Sequence, residues 1–131
     1  RVDWSDPESV IEYQVDYSRM LAGDQRRFDE HSCRELVRRD VERARNIAAL
    51  QNHDAIPDIE RSYEALSSIT APTLVIHGTA DPMFPPRHGE ALVAEIPGAR
   101  LLLLEGAGHG VDQADWDTIV AAIVEQTNPT V

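Results

Sequence analysis

Ile69-Thr-Ala-Pro-Thr-Leu-Val-Ile-His-Gly-Thr-Ala-Asp-Pro82, followed by Arg100-Leu-Leu-Leu-Leu-Glu-Gly-Ala-Gly-His-Gly110, decides the fold of this chain. Thr73 to His77 and Leu101 to Leu104 are short, dominantly apolar runs without the alternation of a half-solvated sheet, which marks strands covered on both faces. Between them, Pro86 to Ile96 has helical spacing with Leu92, Val93 and Ile96 inward, and Pro97-Gly98 stops it. Strand, crossover helix and strand make a βαβ unit with parallel strands. In such sheets functional groups gather outside the carboxyl ends of the strands. Asp81 and His109 each follow one strand and so form a candidate acid and base pair.

Downstream, Gln113 to Gln126 reads as a last helix burying Trp116, Ile119, Val120 and Ile123. Upstream the pattern is helical. Ser5-Asp6-Pro7-Glu8 is a capping box, Val10, Tyr13, Tyr17, Met20 and Leu21 form one apolar face, and Gly23 supplies the stop. After a polar link from Asp24 to His31, Ser32-Cys33-Arg34-Glu35 offers a second capping box, and Leu36, Val37, Val41, Ala44, Ile47 and Ala48 continue a helix to about Leu50. Arg34, Arg38, Arg39, Arg43 and Arg45 among Glu35, Asp40 and Glu42 read as a solvated face. Gln51 to Thr70 is an irregular connection with a short helix around Ile59 to Leu66, and a boundary near Ser67 separates a helical segment, 1–66, from an α/β part, 67–131.

The totals exclude several classes. A length of 131 residues suits one domain or part of one. A net charge of −11 without a basic stripe disfavours a phosphate backbone, so no nucleic-acid partner is expected. One cysteine, Cys33, precludes an internal disulfide framework and fits a reducing, cytoplasmic setting. No apolar run is long enough to span a bilayer, so no membrane partner is expected. No H-x-x-x-H or clustered Cys and His suggests a metal. Gly106, Gly108 and Gly110 precede a helix but lack the further strand of a dinucleotide fold, so no cofactor is expected.

The order strand, Gly-Thr-Ala-Asp-Pro, helix, strand, Gly-Ala-Gly-His, helix resembles the C-terminal portion of the α/β-hydrolase superfamily. The resemblance covers Ser67 to about Thr127, with Arg1 to Leu66 similar to the helical cap that many members insert there. The wording is similar to the small-molecule esterase branch, including methylesterases of polyketide antibiotic pathways. It implies a triad in chain order nucleophile, acid, histidine, with Asp81 and His109 in the last two places. A carboxylate on Nδ1 holds a neutral imidazole in one tautomer and stabilises the imidazolium formed in turnover. Gly106, Gly108 and Gly110 suit a tight turn carrying the ring.

The family's Gly-x-Ser-x-Gly is missing: Ser5, Ser9, Ser18, Ser32, Ser62, Ser67 and Ser68 all lie in caps, helices or the connection. The expectation is a C-terminal fragment of an α/β-hydrolase fold, a parallel two-strand βαβ unit plus a helical cap segment. Its nucleophile and oxyanion donors would lie upstream of Arg1, and the fragment alone would be inactive on its small-molecule substrate. Met83 and Phe84 either line the substrate pocket or pack under the cap, and His53 is a further substrate-facing candidate. His77 reads as a strand-end packing residue, His88 as a surface residue, Trp116 as core, and Glu105 as structural or surface. Two other classes stay open, a noncatalytic interaction or dimerisation module and a complementing subunit of a split hydrolase. Strand 73–77, left without a neighbour on one edge, would favour self-association.

Overall fold

The computed structural model describes residues 1–53, 55–57 and 65–128. The chain divides into two units, one of Arg1–Met20 with Phe28–Ser62 and one of Leu21–Arg27 with Tyr63–Val131. The segment Leu21–Arg27 thus belongs with the α/β part, although it lies within the helical half of the sequence.

The first unit is helical. Helix α1 (Pro7–Leu21) starts at Asp6, whose backbone carbonyl accepts from Val10 N–H and whose side chain accepts from Glu8 N–H at 3.1 Å. Proline at the first helical position needs no donor partner there. The buried residues of α1 are Val10, Ile11 and Val15, whereas Tyr13, Tyr17 and Met20 of the expected stripe are exposed. The tyrosines stack on each other at 6.2 Å, with Trp4 edge-on to Tyr13 at 5.6 Å. Stacking of this kind shields part of each ring face from water.

Helix α2 (Glu30–Arg43) begins earlier than the Ser32 capping box suggests. Asp29 caps it by accepting from Ser32 N–H at 3.1 Å and from the Ser32 hydroxyl at 2.7 Å, so Ser32 is a donor inside the first turn. The helix ends at Arg43, and a separate 3-10 turn spans Ile47–Asn52. Two arginines of the expected solvated face bridge to α1: Arg34 pairs with Glu12 and with Glu30 of its own helix, and Arg38 with Glu8. The expected helix from Ile59 to Leu66 falls mostly outside the described residues; Leu66–Ser68 is a single 3-10 turn.

The second unit is the βαβ arrangement. Strand β1 (Leu74–Gly78), helix α3 (Arg87–Glu95) and strand β2 (Arg100–Leu104) follow in order. The strands pair in parallel with Leu74 opposite Arg100 and Gly78 opposite Leu104. Successive strand residues point to opposite faces. On one face Ile76, Leu102 and Leu104 pack with Ala107 and with Ile119 of helix α4 (Trp116–Thr127). On the other, the His77 ring lies against Gly89 of α3, where an added Cβ would approach the ring to 3.1 Å. One helix on each face is what apolar runs in parallel strands require.

The cover is partial. Ile96 is buried, but Leu92 is exposed, and on α4 Trp116, Val120, Ile123 and Val124 are exposed while only Ile119 is buried. The expectation that Trp116, Val120 and Ile123 are core is therefore corrected. Two strands present too narrow a sheet to cover more than one row of that helix. Among the described residues no helix is long and apolar enough to cross a membrane.

Candidate active site

The segments leaving the two strands at their carboxyl ends form one hydrogen-bonded cluster. Thr79 N–H donates to Leu104 C=O at 3.0 Å and Ala80 N–H to Ala107 C=O at 2.9 Å, while Gly106 N–H donates to the Thr79 hydroxyl at 2.7 Å. Each such bond contributes about 1 kcal/mol net. Together they fix the acid loop against the histidine loop.

In this cluster His109 Nδ1 stands 2.8 Å from Asp81 Oδ2. The carboxylate carries no proton at neutral pH, so Nδ1–H is the donor and Nε2 is left with its lone pair. The Asp81 side chain is only 5% exposed against 34% for His109, so the carboxylate is covered while the ring reaches solvent. The other carboxylate oxygen, Oδ1, accepts from Met83 N–H at 2.7 Å and Phe84 N–H at 2.9 Å. Burial pushes the Asp81 carboxyl up, but the Phe84 N–H, the His109 ring and the Met83 N–H together outweigh it and hold the group below the usual carboxylate value. Asp81 is thus an anion with both oxygens engaged.

The histidine loop turns tightly at Gly106, whose φ of +68° suits glycine. Gly108 has a different reason to be glycine: a Cβ there would overlap the backbone of Leu21 and Ala22. Gly110 meets neither condition, so the turn rests on the first two glycines. His109 N–H donates to Leu21 C=O at 2.8 Å, which fixes the backbone from which the ring projects.

The structure brings Asp81, His109, Met83 and Phe84 together. The backbones of Met83 and Phe84 hold the carboxylate, and the Phe84 ring lies 5.5 Å from both the His109 and the His88 rings, with both side chains exposed. His53, at the end of the turn Ile47–Asn52, is exposed and belongs to the first unit. Among the described residues no three His, Cys, Asp or Glu side chains gather as metal ligands.

Three residues escaped the sequence reading. His77 does more than pack: its Nε2 lies 2.8 Å from Phe84 C=O and 3.8 Å from Asp81 Oδ2. A carbonyl only accepts, so His77 Nε2–H donates and closes the acid loop from below. Thr79 joins the two loops. Arg26 donates to Glu105 C=O and pairs with Asp115 at 2.7 Å. A polar side chain at a strand end is the only sequence signal for His77 and Thr79; Arg26 has none.

Comparison with known proteins agrees with this architecture. The sequence profile of the alpha/beta hydrolase fold matches residues 8–111. The chain is 33% identical over 122 residues to a rhodomycin D methylesterase of Streptomyces peucetius, covering 92% of this chain and 41% of that protein. It is 44% identical over 57 residues to the alpha/beta hydrolase domain-containing protein 17C of Homo sapiens, covering 43% of this chain and 16% of that one. An esterase from Exiguobacterium antarcticum superposes with a TM-score of 0.61 at 20% identity, covering 92% of this chain and 47% of the esterase, a likeness of fold. The chain therefore spans less than half the length of these relatives.

Proposed function

The chain belongs to the alpha/beta hydrolase fold family, and on that premise we propose that it carries the orienting acid and the general base of an ester-cleaving enzyme whose nucleophile lies outside these 131 residues. The observation that carries the reading is the 2.8 Å contact of His109 Nδ1 with a covered Asp81 carboxylate. With Nδ1–H held, Nε2 accepts the proton of an attacking hydroxyl and later returns it to the departing alkoxide. Asp81 stabilises the imidazolium between those steps. Phe84 borders the ring, and in this reading it and Met83 form part of the wall beside the substrate.

The absence of Gly-x-Ser-x-Gly from this sequence supports a nucleophile and oxyanion donors from elsewhere, so the isolated 131 residues are expected to be inactive. In this reading residues 1–66 serve as a helical cap, apart from Leu21–Arg27, which belongs with the α/β part, and residues 67–131 serve as part of the core. The Streptomyces peucetius relative is a methylesterase, which favours a small-molecule ester as the substrate class. The test is His109→Ala in the intact protein with an activated aryl ester. Loss of about four to six orders of magnitude in kcat is expected, and near-normal turnover would remove His109 from the chemistry.

A second reading, an association module, is favoured by the apolar surface of α4 and by β1, which among the described residues pairs along one edge only. Light scattering decides for the chain itself: a dilute monomer counts against self-association through strand 73–77.

A further inference from the structure

We infer that Arg26 is a positioning residue for His109, acting through a strap, Leu21–Arg27, that clamps the histidine loop at its two ends and its middle. This rests on the reading of His109 and Asp81 as base and orienting acid.

The ends come first. The histidine loop leaves β2 at Glu105 and runs into the 3-10 turn Gln113–Asp115, whose last residue directly precedes α4. Arg26 donates from one guanidinium nitrogen to Glu105 C=O and from another to Asp115 Oδ2, the latter at 2.7 Å. One planar fork thus ties together residues ten apart in the chain, a task its rigid five-donor geometry suits better than an ammonium group. Asp115 is buried, 7% exposed, so its carboxylate has little access to water for a substitute partner. The Arg26 side chain also lies along Gly106, where an added Cβ would come within 3.4 Å of it.

The middle of the loop is held by the same strap. Leu21 C=O accepts from His109 N–H, and the backbone of Leu21 and Ala22 occupies the space a side chain at position 108 would need. Gly23, at φ +73°, packs on Ala80 of the acid loop. The strap therefore touches both loops, and four points along the histidine loop (Glu105 C=O, the Gly108 backbone, His109 N–H and the Asp115 carboxylate) all meet it. Without Arg26 the loop keeps its bonds to Thr79, Ala80 and Leu21 but loses the tie that stops its two ends from separating. The ring would then be held less firmly against Asp81 without the fold coming apart.

The decisive variant is Arg26→Lys in the intact protein. Lysine keeps a cation beside Asp115, so the chain folds, but one ammonium group does not span Asp115 and Glu105 C=O as the fork does. Three readouts apply: amide exchange of His109 N–H, the low-field proton of His109 Nδ1, assigned by its loss in His109→Gln, and kcat and KM with an activated aryl ester. The expected result is faster His109 amide exchange, a broadened ring proton and kcat lower by about 10- to 100-fold with little change in KM. Arg26→Ala should exaggerate each effect if it folds, and Asp115→Asn should reproduce them in part.

An exchange rate and ring proton unchanged in Arg26→Lys overturn the inference. So does faster exchange with an unmoved ring proton and kcat, because the arginine then holds the loop without steering the imidazole. Normal turnover by His109→Ala sinks the acid and base reading alone, and the Arg26→Lys exchange rate still reports on the clamp.

Discussion

Replacing Asp81 by Asn isolates what the carboxylate contributes. The amide oxygen can keep the position of Oδ1 and still accept from Met83 N–H and Phe84 N–H, bonds of 2.7 and 2.9 Å in the native loop. The amide nitrogen then occupies the place of Oδ2, 2.8 Å from His109 Nδ1, and presents a donor to it. The ring must answer with a lone pair on Nδ1, which moves its proton to Nε2 and blocks the nitrogen that should accept from the nucleophile. A wrong tautomer of this kind costs about 10⁴ in kcat, or roughly 5.5 kcal/mol. Stability should suffer far less. Three charge-assisted bonds become neutral ones, a loss of about 1 kcal/mol each, offset in part because a buried amide is less costly to desolvate than a carboxylate. The assay is kcat with an activated ester in the intact protein, paired with ¹⁵N spectra of the His109 ring. If Asp81→Asn retains turnover within about tenfold of the unmodified protein, the acid is not steering the base and the proposed pairing is wrong.

Three other outcomes follow from the same cluster. Gly108→Ala drives a methyl group into the Leu21 and Ala22 backbone and should lower stability by about 1–3 kcal/mol or more, read as a fall in the denaturant midpoint; an unchanged midpoint refutes the close approach. Asp81, held below the usual carboxylate value in the fold, contributes stability that is complete above the unfolded carboxyl range, about pH 4, and fades as pH falls through its lower folded value. The stability difference between the unmodified chain and Asp81→Asn should therefore shrink on acidification, and a difference constant with pH contradicts the linkage. His77→Phe removes the donor to Phe84 C=O and should reduce kcat while His77→Gln, which can still donate, recovers most of it; equal defects in the two variants would mean that His77 acts by bulk alone.

What could be read from the sequence was what depends on neighbours in sequence. The βαβ unit shows as two apolar runs around a helical period, and Asp81 and His109 show because a loop that leaves a strand is marked by its glycines and prolines. Faces of helices were harder. On α1 the stripe through Tyr13 and Tyr17 and the one through Ile11 and Val15 lie side by side, and period alone does not say which turns inward. The tyrosines lose because a phenol needs water or a partner, and the aliphatic row does not. On α2 Asp29 caps in place of the expected Ser32 because its one carboxylate reaches two donors at once. The strap was illegible for a different reason: Arg26 and Asp115 are 89 positions apart, and nothing local to a polar segment announces a partner at that distance.

The distance between acid and base depends on strand register. Both loops start from the same rung, because Gly78 sits opposite Leu104 at the end of the ladder, and from there Asp81 is three residues along one chain and His109 five along the other. A slip of one residue would displace one loop by about 3.3 Å and turn every strand side chain to the other face. His77 would then leave Gly89, Ile76 would leave the Leu104 and Ile119 cluster, and a contact of 2.8 Å would become impossible without new turns. Gly78 guards against this from the other side, since any Cβ there would strike the backbone of Ala107 and Gly108 and push the histidine loop away. Sheet packing and site geometry are therefore the same constraint: the apolar residues that set the register also set the separation of imidazole and carboxylate, and a core substitution that shifted the ladder would disturb the site without touching either side chain.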